Sequence, residues 1–244
     1  MVRAYRDMDE MRGRDAGRNP ATRNSALWLW LAAAVSLGLS LAPWGDLVLY
    51  PFKLFTTWVH EGSHALVTLA VGGAVSSIVI DPNTSGRTLS LVPNALLAKG
   101  LVTSAGYLGA STVGCLLMAA TRLGRWAHRI LYAMGGAMLA SLVVWMRNPF
   151  GIAVVLSWGV ALLLLARFGN GSVARFVLSL LAIQVALDAV YDIRVLFLVH
   201  GAHSDADAMA QLFLIPSWVW ASAWMTISVA MLGWTLWVTR VRAR

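Results

Sequence analysis

The stretch "WVHEGSHALV", residues 58–67, places His60, Glu61 and His64 in an otherwise apolar segment. On a helix His60 and His64 lie one turn apart on one face, so both imidazoles can reach a single metal ion. Glu61 projects alongside, where its carboxylate can take a proton from water activated by that metal. The chain holds five His and two Glu, and Glu61 is the only Glu outside the N-terminal tail. A buried carboxylate without partners is costly, and ionisable groups inside apolar spans are functional candidates by default. The competing reading has His60 and His64 merely hydrogen-bonding between helices, and it leaves Glu61 unexplained.

Two His do not complete a catalytic zinc site, which usually has three protein ligands and an open position. Other donors in apolar surroundings are Asp188 and Asp192 in "QVALDAVYDIRVLF", then Asn148 and His128. Asp188 and Asp192 are spaced i, i+4 and share a helix face, with Arg194 two residues further on. Their competing role is an Asp–Arg pair that fixes helix packing. His200, His203, Asp205 and Asp207 in the acidic loop "HGAHSDADA" match no ligand spacing of a known site and read as a solvated, external loop. Cys115 sits in an apolar segment, and one cysteine supports neither a disulfide framework nor a Cys-based metal site.

The elements that must position these residues are membrane helices. The 244 residues are 59% hydrophobic and 12% charged, with mean hydropathy +0.69, which excludes an ordinary soluble domain. Apolar stretches of spanning length recur at about 26–43, 47–72, 99–120, 130–146, 149–166, 174–199 and 214–238. Trp28, Trp44, Trp58, Trp218 and Trp237 lie near segment ends, as interfacial anchors do. The expected fold is therefore an all-α polytopic membrane protein of six or seven transmembrane segments. Residues 1–25 form a polar, basic tail, and 26–244 form a single membrane-embedded domain whose first segment is a retained span. The net charge of +8 is concentrated at segment ends, including Arg12, Arg14, Arg18, Arg240 and Arg242, a positive-inside pattern that gives no reason to expect nucleic acid.

Both chain ends and Arg122–Arg129 read as cytoplasmic, which seven complete crossings do not allow. The segment 47–72, with Pro51, Lys53 and the charged trio, is the first suspect for an incomplete crossing. Between 73 and 98 the pattern changes. "SSIVI" and "RTLSLV" are β-rich and flank the turn-forming "DPNTSG", so a β-hairpin is expected over about 75–93. In "SAGYLGASTVG", Gly106, Gly109 and Gly114 allow a neighbouring backbone to approach closely, for plain helix packing or for a role near the site. No internal repeat is apparent, which disfavours a small transporter.

Four stretches resemble the site-2 protease family of intramembrane zinc metallopeptidases, in particular its compact bacterial branch without a PDZ domain. "HEGSHALVTLAVGGAVSSIVI" is similar to the family's H-E-x-G-H-A, Gly-Gly turn and strand. "SGRTLS" resembles its Gly-centred hairpin, "SAGYLGASTVG" its A-G-Y-L-G-P stretch, and "ALDAVYDIRVLF" its Tyr-Asp-Ile stretch. Ser63 stands where the family has Gly before the second His, and Ala110 replaces the Pro; neither removes a ligand.

The resemblance implies a Zn2+ site of His60, His64 and Asp192, with Asp188 as runner-up and Glu61 as general base. It also implies that the hairpin presents an extended substrate by strand addition. That puts Ile78 and Ile80, with Gly106 and Gly109, among the substrate-binding candidates. The expected partners are a transmembrane protein substrate and the lipid bilayer. The expected location is the bacterial plasma membrane, with a cytoplasmic N-terminus. The expected function is an intramembrane zinc metalloendopeptidase. The alternative is a non-catalytic pseudoprotease or partner-binding membrane protein, which would have less reason to keep Glu61.

Overall fold

A computed structural model describes residues 20–122, 126–198 and 204–241, without the side chains of 20–27, 29, 40, 190–198 and 239–241. The described residues form eight α-helices and one two-stranded sheet. In chain order these are α1 (Pro20–Leu41), α2 (Gly45–Ala70), β1 (Ala74–Ile80), β2 (Gly86–Leu91), α3 (Leu96–Ala120), α4 (Ala127–Val144), α5 (Pro149–Phe168), α6 (Gly171–Leu198), α7 (Asp205–Phe213) and α8 (Ser217–Val241). Because α1 begins at Pro20, residues 20–25 of the expected tail are helical; residues 1–19 lie outside the described residues.

Among the described residues five helices are long and apolar enough to cross a membrane: α3, α4, α5, α6 over Gly171–Ala189, and α8. That is fewer than the six or seven expected from the sequence. In α1 the apolar part is the shorter Trp30–Leu39. The HEGSH helix α2 carries Asp46, Lys53, His60, Glu61 and His64, which lower its hydropathy. It is nonetheless one unbroken helix of 26 residues running through Pro51. The irregular, re-entrant backbone suspected there is not seen. The chain is a mostly helical, polytopic integral membrane protein.

Burial separates central from peripheral helices. The apolar window of α6 is 56% buried inside the protein, that of α8 only 17%. Accordingly α8 turns Val229, Trp234 and Trp237 outward, while α6 buries Leu178, Leu181, Ala182 and Val185. These join Phe55 of α2, Ile78 and Ile80 of β1, Leu131 and Met138 of α4, and Val155 and Leu162 of α5 in the main core. A second cluster contains Tyr107, Ala206, Met209, Ala221 and Trp224, and it packs the short helix α7 between α3 and α8.

Helix α2 ends on Gly72, whose φ of +82° suits the left-handed turn that closes a helix. The chain then enters the antiparallel hairpin, whose register pairs Ile78 with Thr88 and Ile80 with Gly86. The outer edge of β1 is already occupied. The Ile78 amide donates to the Trp145 carbonyl at 2.8 Å. Asn148 grips Ile80 from both sides: its Nδ2 donates to the Ile80 carbonyl at 2.6 Å and its Oδ1 accepts from the Ile80 amide at 3.3 Å. The α4–α5 connection thus acts as a third strand, and a hairpin that would be marginal alone is anchored to the bundle.

Asn148→Ala leaves the buried Ile80 main chain without these partners. It should cost about 1–3 kcal/mol. The expected result is a lower thermal midpoint in detergent and faster tryptic nicking after Arg87, which is exposed on β2. An unchanged midpoint and nicking rate would show that the clamp does not hold the hairpin.

Candidate metal centre

The polar groups of α2 fall on distinct faces. Tyr50, Thr57, Glu61 and Thr68 recur at intervals that confine them to a stripe about 40° wide. This stripe faces the hairpin. The Tyr50 hydroxyl donates to the Pro82 carbonyl at 2.6 Å, Thr57 to the Thr84 carbonyl at 2.6 Å, and Thr68 to the Ser90 hydroxyl at 3.4 Å. Thr88 supplies the hydroxyl opposite Glu61, 2.7 Å from the carboxylate Oε2. His60 and His64 lie roughly 60–100° round the helix from Glu61. They open into a cavity of about 560 Å³ whose lining includes Glu61, Arg87, Thr88, Tyr107 and Asp205.

The His60 and His64 Nε2 atoms are 3.1 Å apart. Each lies 3.2 Å from Oδ2 of Asp205. His64 donates its Nδ1–H to the Val102 carbonyl at 2.7 Å, so in the neutral ring its Nε2 carries a lone pair toward the cluster. His60 is held edge-on by the ring of Tyr107, with centroids 4.8 Å apart, and Tyr107 stacks in turn on Trp224 at 5.1 Å. Glu61 and His64 are buried, at 5% and 8% exposure. Burial alone would push the Asp205 carboxyl up, but its hydrogen bonds and charge interactions with the two imidazoles outweigh burial and hold it below the usual carboxylate range.

These residues fit a metal ion. Two imidazole nitrogens and a carboxylate oxygen converge within 3.2 Å of one another, a donor set and spacing that one metal ion could share. Ligand atoms at about 2.0–2.2 Å in tetrahedral array stand roughly 3.3–3.5 Å apart, close to the spacings seen. These three residues form a group among the described residues that could hold a metal ion. Gly106 supplies the space, since a Cβ there would overlap Nε2 of both His60 and His64.

The other sequence candidates are placed as follows. Asp188 accepts a hydrogen bond from the Thr56 hydroxyl at 2.9 Å, in the contact between α2 and α6. The Asp192 side chain lies outside the described residues, as do His200 and His203. Ile78 and Ile80 are fully buried. Gly109 packs against the Ser63 side chain, so its small size serves the close approach of α2 and α3. His128 pairs with the Gly169 carbonyl at 3.0 Å.

Asp205, which the sequence reading set aside in a solvated loop, belongs to a helix. The Ser204 hydroxyl accepts from the Asp207 amide while the Asp207 carboxylate reaches back to the Ser204 amide, a capping box that starts α7. Ala206 and Met209 then bury against Tyr107 and Trp224, turning Asp205 toward the two imidazoles. The Ser-x-x-Asp spacing of Ser204 and Asp207 is the one local signal in the sequence that marks a helix start there.

Helical membrane architecture together with an H-E-x-x-H motif whose donors could hold a metal points to a class: a membrane-embedded protein of metallopeptidase type. A family model described as Peptidase M50B-like matches residues 25–235. The chain belongs to this family, which is the site-2 protease family and whose peptidases are zinc-dependent in general. No curated protein and no solved structure matches the chain.

The geometry around Gly106 yields a direct expectation. Gly106→Ala should lower bound divalent metal at least about tenfold, measured by plasma mass spectrometry on detergent-purified protein, with its gel-filtration profile unchanged. Wild-type metal content in that variant would mean the metal sits elsewhere.

Proposed function

We propose that the chain is an intramembrane zinc metalloendopeptidase that cuts membrane-protein substrates within or near the bilayer. The observation carrying this reading is the approach of the Asp205 carboxylate to both imidazoles of the HEGSH helix, with Glu61 beside them on one cavity. His60, His64 and Asp205 would hold the zinc. The resemblance points instead to Asp192 as third ligand, and the paired variants below decide between the two.

Zinc bound there would polarise the scissile carbonyl and make an adjacent water more acidic. Glu61 takes the proton of the attacking water on its carboxylate and passes it to the leaving amine as the peptide bond breaks. The cavity admits water to a site otherwise enclosed by apolar helices.

With the outer edge of β1 bonded to Trp145 and Asn148, the other edge of β2 is the one with no main-chain partner among the described residues. It borders the cavity through Gly86, Thr88 and Ser90. An extended substrate adding to the sheet would pair there, and Ile78 and Ile80 would act from behind by holding β2 in place. The positive ends of the chain favour a cytoplasmic N-terminus, and the resemblance to the compact bacterial branch favours a bacterial plasma-membrane protein.

The test is metal content and cleavage of a single-span probe whose apolar segment carries a central Asn-Pro helix break. Wild type should bind about one zinc per chain, and His60→Ala or His64→Ala should empty the site. Glu61→Gln should keep zinc and lose cleavage. Asp205→Asn should lose both, whereas Asp192→Asn should lose neither. Loss of zinc in Asp192→Asn with retention in Asp205→Asn would reverse the ligand assignment. Full cleavage by Glu61→Gln would sink the peptidase reading.

A further inference from the structure

Glu61 is gripped by the hairpin. The Thr88 hydroxyl lies 2.7 Å from Oε2 of Glu61 and 3.0 Å from the Glu61 main-chain carbonyl. Its single proton therefore faces the side chain and the backbone of one residue. On the other side, a Cβ added to Gly86 would lie 2.7 Å from both Cγ and Oε1 of Glu61 and 2.8 Å from Cγ2 of Thr57. The backbone of β2 therefore rests directly on the Glu61 side chain, and Glu61 is 5% exposed.

A glutamate has three rotatable side-chain bonds, and a general base must hold its oxygen within hydrogen-bond reach of the proton it takes. Along β2, Gly86, Thr88 and Ser90 are half-buried toward α2 while Arg87, Leu89 and Leu91 are exposed. The alternation puts Thr88 on the face of the strand that covers the base.

We infer that Thr88 is a positioning residue for Glu61: its hydroxyl, with the bare backbone at Gly86, holds the carboxylate in one orientation beside the imidazoles. This rests on the peptidase reading above. It adds that the hairpin is part of the apparatus that orders the base, so that a shift of β2 reaches Glu61 directly.

The test measures kcat and KM on the same single-span probe in detergent, zinc content, and hydrogen–deuterium exchange over residues 74–91. Thr88→Val keeps the shape and removes the hydroxyl. It should lower kcat by about 10- to 100-fold, with KM, zinc and exchange protection of the hairpin unchanged. Thr88→Ser, which keeps the hydroxyl, should restore most of the rate. Tyr50→Phe removes a hairpin anchor without touching Glu61 and should cost kcat far less than Thr88→Val does.

If Thr88→Val and Tyr50→Phe lose rate equally, Thr88 only anchors the hairpin and the inference fails. Wild-type kcat in Thr88→Val, beside an inactive Glu61→Gln, overturns the inference alone. A wild type that never cuts the probe, or an active Glu61→Gln, brings down the peptidase reading and this inference with it.

Discussion

Three potential metal donors, Nε2 of His60, Nε2 of His64 and Oδ2 of Asp205, stand 3.1–3.2 Å from one another. Much of the structure around the cavity serves that convergence. Val102 fixes the His64 tautomer through its carbonyl, and the Tyr107 ring limits how His60 can turn. Gly106 leaves the space that a methyl group would fill. The second apolar cluster secures α7, so the carboxylate is delivered by a helix whose other contacts are hydrophobic. In a largely apolar protein, polar chemistry is concentrated in one cavity and held there by packing.

A single helix, α2, sorts the functions by angle. One stripe binds the hairpin through Tyr50, Thr57, Glu61 and Thr68, and the next carries the imidazoles. Thr56 meets Asp188 of α6, and the Trp58 indole donates to the Ser141 hydroxyl of α4 at 2.9 Å. Glu61 sits on the hairpin stripe, roughly 60–100° round the helix from the two imidazoles. The general base and the strand proposed to present substrate are thus neighbours by helix geometry, which lets the hairpin couple to the reaction.

The sequence was most readable where spacing alone decides. The i, i+4 His pair with its Glu, the strand–turn–strand pattern after it and the apolar helices all correspond to what is seen. Long-range pairing was not readable. Asp188 and Asp192 share a helix face and look like a ligand and its support, yet Asp188 answers Thr56. Asp205 is 145 residues from His60, and its approach depends on how α7 packs on Tyr107 and Trp224, which no local pattern encodes. Polarity also misled: "SDADA" scores as a loop because its acids are read as solvated, whereas one caps a helix and another enters the cavity. Fewer helices than expected qualify as spans because α2 carries Asp46, Lys53, His60, Glu61 and His64 and the apolar part of α1 is short.

Ligand geometry is the central claim, and anomalous diffraction at the zinc edge from crystals of the zinc-loaded protein tests it most directly. The account predicts one strong peak bonded to Nε2 of His60, Nε2 of His64 and a carboxylate oxygen of Asp205, each at about 2.0–2.2 Å, with Glu61 close by but not bonded. A peak bonded to a different carboxylate, or one lying away from the two imidazoles, would contradict it.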